Sequence, residues 1–216
     1  MLSMLEEFVL LAVDQGTGRL QSPHEFGMGY ALVGAVFFDL ALARRIDTDT
    51  EEIQILDTSV SGNPIWDRVI AELRERPDVK TVRDWIEAMF RRNDDLEGEA
   101  LASLVEKGIL RREKTTRLWI IDVERFPLAN AAAQKDLKER LAQAILEDGI
   151  PDARDIMLVS LAAPCGLLRW VLSEQELEWR RERVEIISNL ETISRKVVAA
   201  ITALDASFRQ APQRLS

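Results

Sequence analysis

Cysteine and histidine occur once each, as Cys165 and His24. That scarcity excludes a disulfide within the chain, a CxxC redox pair and a zinc centre of thiolates and imidazoles. The acidic stretch Asp94, Asp95, Glu97, Glu99 lacks the spacing of a calcium loop and reads as the negatively charged start of a helix. No metal and no cofactor is expected. Glycine is sparse, and Gly16 and Gly18 do not open a helix in the GxGxxG arrangement; GxxxxGK is absent too, so the nucleotide-binding fingerprints are missing. The longest apolar stretch, Gly27 to Leu42, contains Asp39 and runs into Arg44 and Arg45, short of the roughly 20 apolar residues a bilayer demands. Met1 to Leu11 lacks a basic n-region, so no signal peptide is expected. Positive charge is also in deficit, 28 Lys and Arg against 37 Asp and Glu for a net charge of -9. This argues against nucleic acid as a partner and requires any anion site to be local.

An apolar fraction of 47% beside 30% charged residues fits a folded chain. Its periodicities are mostly helical. Ser3-Met4-Leu5-Glu6 has capping-box spacing, followed by an amphipathic face of Leu5, Phe8, Val9 and Ala12 in a helix reaching about Asp14. Gly27 to Arg45 reads as a buried helix, central to the core from Tyr30 to Leu42. Ile53, Ile55 and Val60 alternate as a short strand would. Asn63 and Pro64 provide an N-cap and first turn for a helix buried through Ile65, Trp66, Val69, Ile70 and Leu73. Val82, Trp85, Ile86, Met89 and Phe90 give another helix, ended by Arg91 and Arg92.

Leu96 to Lys107 then predicts a helix stopped by Gly108. A strand at Ile109 to Arg112, a turn at Lys114 to Thr116 and a strand at Leu118 to Ile121 are expected after it. Helices follow at Asn130 to Glu147, after Asp152, after the capping box Ser173 to Glu176, and from Leu190 to Leu204. The fold class is mainly α: one helical domain, residues 1–207, around a buried central helix with short β-hairpins, then a flexible tail at 208–216.

No catalytic constellation emerges, and the chain is not expected to be an enzyme. Cys165 has no histidine partner except His24, and a structural thiol is the simpler reading. Helix, glycine, strand, turn, strand also describes part of a winged helix, the pattern of a transcriptional regulator. Its preceding helix carries Glu97, Glu99 and Glu106, a face phosphates would repel.

Several of these segments resemble the Golgi phosphoprotein 3 family, which has eukaryotic members and many bacterial homologues. The match rests on Leu5-Glu6-Glu7 with Leu10-Leu11, Asp39-Leu40-Ala41-Leu42-Ala43-Arg44-Arg45-Ile46, Ser61-Gly62-Asn63-Pro64 with Asp67, and Asp84-Trp85-Ile86. It continues through Leu104-Val105-Glu106-Lys107-Gly108-Ile109-Leu110 and Pro127-Leu128, spanning about residues 2–204. The resemblance implies a helical, non-enzymatic adaptor that, in eukaryotic members, binds phosphatidylinositol 4-phosphate and retains glycosyltransferases by their cytoplasmic tails. The head-group positions of those members, a tryptophan and three arginines, fall here at His24, Val33, Asp94 and Glu97, so the phosphoinositide pocket is not retained.

Arg91, Arg92 and His24 are the remaining candidates for an anion or lipid head group. The hairpin residues Leu118, Trp119, Ile120 and Ile121 are candidates for a membrane or oligomer contact, because four large apolar residues in a row exceed what one face of a ribbon buries. The expected partners are an anionic lipid surface, a protein, and further copies of the chain through the hairpin. The expected location is the cytoplasm, with peripheral attachment to a membrane. A protein-interaction scaffold or oligomer without a lipid ligand is the alternative.

Overall fold

The computed structural model describes residues 1–21, 25–48, 52–92, 95–117 and 121–210. Helix α1 (Met4–Ala12) begins where the sequence places it: the Ser3 side chain accepts from the Glu6 N–H while the Glu6 carboxylate accepts from the Ser3 N–H. Every residue of α1 is buried, including Glu6 and Glu7. Helix α2 (Glu25–Leu42) is apolar on all sides and therefore cannot face water. It meets α1, α4, α7 and α10 and forms the centre of the fold.

The remaining helices are α3 (Pro64–Glu75), α4 (Val82–Arg92), α5 (Leu96–Glu106), α6 (Ala132–Leu146), α7 (Ala153–Ala162), α8 (Glu174–Trp179), α9 (Arg181–Ser188) and α10 (Thr192–Gln210). Asn63 caps α3 by accepting from the Ile65 and Trp66 N–H groups, with Pro64 in the first turn. Helix α7 is buried from Asp155 to Ala162. Gly34 lets α10 and α7 approach α2: a Cβ there would lie 2.7 Å from Val197 Cγ1 and 3.1 Å from Leu161 Cδ2.

Helix α2 ends with its apolar run at Leu42, short of the Arg45 expected. The Arg44 N–H donates to the Ala41 carbonyl and the Arg45 N–H to that of Leu40, a Schellman closure that leaves Arg44 at φ 54°. The same two bonds end α5, from Gly108 to Val105 and from Ile109 to Leu104, with Gly108 at φ 69°.

Strand β1 (Ile46–Asp47) pairs antiparallel with β2 (Gln54–Ile55); Val60, expected to extend a strand here, is instead 87% exposed. Strands β3 (Glu113–Arg117) and β4 (Ile121–Arg125) make the second hairpin, which corrects the expected register. Lys114 to Thr116 is strand, not turn, because opposite charges align across the ladder, Glu113 against Arg125 and Lys114 against Glu124. Ile109 to Arg112 forms no strand; only Leu110 makes an isolated bridge, to Leu128. The single charged helix expected after Ser173 is divided into α8 and α9 at Arg180, and Leu190 precedes α10, 44% exposed. Helix α10 continues to Gln210, into the segment read as tail; residues 211–216 lie outside the described residues.

Candidate functional site

Arg91 and Arg92 occupy the last turn of α4, where cations suit the helix dipole. The fold sends them in different directions. Arg92 pairs with Glu72 of α3 at 2.7 Å. Arg91 pairs with Glu87 one turn back on α4 and borders a cavity of about 270 Å³ between α2, α4 and α10. Tyr30 and Phe90 also line this cavity, their ring centroids 4.2 Å apart and their planes tilted by 42°. Phe90 lies over Gly29, where a Cβ would come within 2.5 Å of the ring.

Glu87 and Arg83 line the cavity too, and Arg83 is a residue that sequence reasoning missed. Arg83, Glu87 and Arg91 recur every fourth residue along one polar face of α4, a spacing legible in the sequence but indistinguishable there from an ordinary solvated face. Arg83 is exposed and has no ion-pair partner among the described residues. The three side chains leave one net positive charge beside an aromatic wall.

His24, the third anion candidate, lies outside the described residues, as do Leu118, Trp119 and Ile120 of the hairpin; of Ile121 only the backbone is described, paired with Arg117. Of the positions aligned with the eukaryotic head-group residues, Val33 is buried in the core. Glu97 lies in the first turn of α5, where burial, and then the nearby Asp95 carboxylate, raise its pKa above the usual range. Asp94 is outside the described residues. Cys165 is buried.

A second, larger cavity of about 750 Å³ opens at the other end of α2, bordered by Glu6, Asp39, Trp66, Glu106, Lys107 and Arg154 among others. Beside it a half-buried charge network joins three helices. Glu7 accepts from Arg140 at 3.0 Å and from Arg154 at 2.8 Å, and Arg140 also pairs with Asp155. Glu6 accepts from Ser103 and Lys107, and these bonds outweigh burial to hold its carboxyl below the ordinary value.

Four of the segments on which the family resemblance rests contribute to the wall of this cavity: Glu6 of α1, Asp39, Leu42 and Ala43 at and just beyond the end of α2, Gly62 to Pro64 at the start of α3, and Glu106 and Lys107 at the end of α5. The Golgi phosphoprotein 3 (GPP34) family matches residues 4–204. This chain belongs to that family. Among curated relatives it is similar to vacuolar protein sorting-associated protein 74 of Eremothecium gossypii, with 25% identity over 214 residues, 83% of this chain and 64% of that protein. The chain thus covers less than two-thirds of that relative's length. As in the expectation for a GPP34 chain, the fold is mainly helical with two small hairpins. Among the described residues no helix is long and apolar enough to cross a membrane.

Proposed function

We propose that this GPP34 chain is a non-enzymatic adaptor that attaches peripherally to an anionic membrane surface. Family membership supports the adaptor role, and the cavity between α2, α4 and α10 supports the attachment. There Arg83 and Arg91 outnumber Glu87 beside the Tyr30 and Phe90 rings. Guanidinium groups suit phosphate geometry, and the rings supply apolar contact. Because the net positive charge is small and exposed, the attachment should be weak and salt-sensitive. The hairpin residues Leu118 to Ile121 provide the apolar insertion or the contact between copies.

Co-sedimentation with vesicles of neutral phosphatidylcholine, with and without phosphatidylserine, at low and high salt, tests this reading. Binding only to the anionic vesicles, weakened by salt, is expected. Equal pelleting with both compositions would remove the role given to the arginines.

A protein-interaction scaffold is the second reading. It is favoured by the exposed apolar residues Ile150, Trp179 and Ile186, which are 90%, 70% and 49% exposed. Arg180 and Arg183 donate to the Leu146 and Gly149 carbonyls and so join α8 and α9 to the loop that carries Ile150. A protein that ignores every vesicle but self-associates in solution would favour this second reading.

A further inference from the structure

The cavity at the C-terminal end of α2 combines an apolar wall with a buried carboxylate to which, among the described residues, no cationic side chain bonds. Leu42, Ile65 and Trp66 supply apolar surface. Its basic side chains are engaged elsewhere: Lys107 with Glu6, and Arg154 with Glu7 and the Leu2 carbonyl. Glu99 is paired with Arg68 at 2.9 Å. Asp39 is 4% exposed and accepts only from backbone, the N–H groups of Met4 at 2.7 Å and Leu5 at 3.4 Å. Among the described residues no cationic side chain bonds to it, and Glu106 on the same wall has no ion-pair partner.

A buried carboxylate held only by two backbone N–H groups keeps acceptor capacity for a charged donor, and the cavity places open space beside it. The cavity volume, about 750 Å³, falls in the range of roughly 300–1,000 Å³ common to small-molecule sites. We propose that this cavity binds a protonated aliphatic amine, its ammonium facing Asp39 and its alkyl stem lying along Leu42, Ile65 and Trp66. An aromatic wall with a carboxylate is the environment in which an ammonium on an apolar stem gains both cation–π and ionic contact. An anionic ligand meets four carboxylates, Glu6, Asp39, Glu99 and Glu106, against two basic side chains, Lys107 and Arg154. The site goes beyond the adaptor reading and does not depend on it, since it lies at the opposite end of α2 from Arg83 and Arg91.

The charged groups that act on Asp39 are Glu6 from α1 and Arg154 from α7, and burial raises its carboxyl to about 6. An arriving ammonium favours the ionised form, so binding and deprotonation of Asp39 are coupled.

Calorimetric titration of the whole chain with n-hexylamine, against n-hexanol and hexanoate, tests the proposal. Hexylamine is expected to bind about tenfold or more tightly than hexanol, with hexanoate not binding. Its affinity should rise about tenfold from pH 5 to pH 7 in the native chain and stay flat in Asp39→Asn. Trp66→Leu, at a half-buried position, should weaken binding while leaving the pH dependence in place, and it keeps the test valid should Asp39→Asn fold poorly. Equal affinity for amine and alcohol, or a native affinity that does not change with pH, would overturn the proposal.

Discussion

Asp39 on α2 reaches the first turn of α1, where its Oδ1 accepts from the Met4 N–H at 2.7 Å. First-turn amides have no partner within their own helix, so this bond joins the two most buried helices through a group that serves as an N-terminal cap. The cap is also a buried charge. Burial, its largest influence, outweighs the two backbone bonds and the field of Arg154 and raises the Asp39 carboxyl from 3.8 to about 6.

A pH dependence of stability follows with a definite sign. The folded chain holds the Asp39 proton more tightly than the unfolded one, so the associated stability is fully present below pH 3.8 and is lost as pH rises through about 6. A shift of this size corresponds to on the order of 3 kcal/mol. Denaturant unfolding of Asp39→Asn, compared with the native chain across this range, should show the falling contribution in the native chain and its absence in the variant. Parallel curves would mean that Asp39 titrates as it does in water.

Gly34 of α2 lies against both Val197 of α10 and Leu161 of α7. Alanine ordinarily stabilises a helix interior by about 1 kcal/mol relative to glycine. Here the added methyl would meet Val197 Cγ1 at 2.7 Å, and overpacking of a filled core typically costs 1–3 kcal/mol. Gly34→Ala is therefore expected to lower Tm despite its better helix propensity. An increase in Tm would show that Val197 and Leu161 yield more easily than their burial implies.

Arg44 has the opposite problem, an L side chain in the left-handed conformation at φ 54°. Non-glycine residues incur about 1–2 kcal/mol there, part of which glycine returns as unfolded-chain entropy. Arg44→Gly should raise stability by up to about 1 kcal/mol in thermal unfolding.

Most of the helical core was legible because apolar spacing and caps agree locally. Ser3, Asn63 and Ser173 each cap the helix the sequence assigns to them, and Val82, Trp85, Ile86 and Met89 are all buried. The turn expected at Lys114 to Thr116 was misread because its polar residues resemble a turn, whereas they form a strand registered by cross-strand charge. The candidate site was legible only in part: Arg91 was visible as a helix-terminal cation, but its association with Tyr30 and Arg83 depends on how α4 lies against α2. Gln134 was invisible for a similar reason, since a polar residue on an amphipathic helix ordinarily faces water.

Gln134 is instead wholly buried. Its amide donates to the carbonyls of Leu10 and Val13, each at 2.7 Å, and its own oxygen accepts from Gln15. These bonds give the Leu10 carbonyl a second donor beside the Val13 N–H and supply one to the carbonyl of Val13, the C-cap of α1. Gln134→Leu retains the bulk but removes the donors, taking from the Val13 carbonyl the bond Gln134 gives it, at a cost of about 1–3 kcal/mol, and leaving that of Leu10 with the Val13 N–H alone. A loss of about 2 kcal/mol or more in denaturant unfolding is expected. A near-neutral result would mean that water reaches the end of α1.

Charge reversal on α4 separates the two arginines that adjoin in sequence. Arg91 borders the aromatic cavity with Arg83, whereas Arg92 is turned to Glu72. Arg83→Glu with Arg91→Glu replaces one net positive charge by three negative ones in that cavity, because Glu87 remains. Binding to vesicles containing phosphatidylserine should then be lost, with little change in Tm, since Arg83 and Arg91 are exposed and surface pairs contribute only about 0–1 kcal/mol. Arg92→Ala breaks a pair whose Glu72 side chain is 12% exposed; it should lower Tm while leaving vesicle binding in place. Loss of binding in Arg92→Ala alone, with Arg83→Glu and Arg91→Glu still bound, would move the anion contact from the α2–α4–α10 cavity to the α3 side of α4.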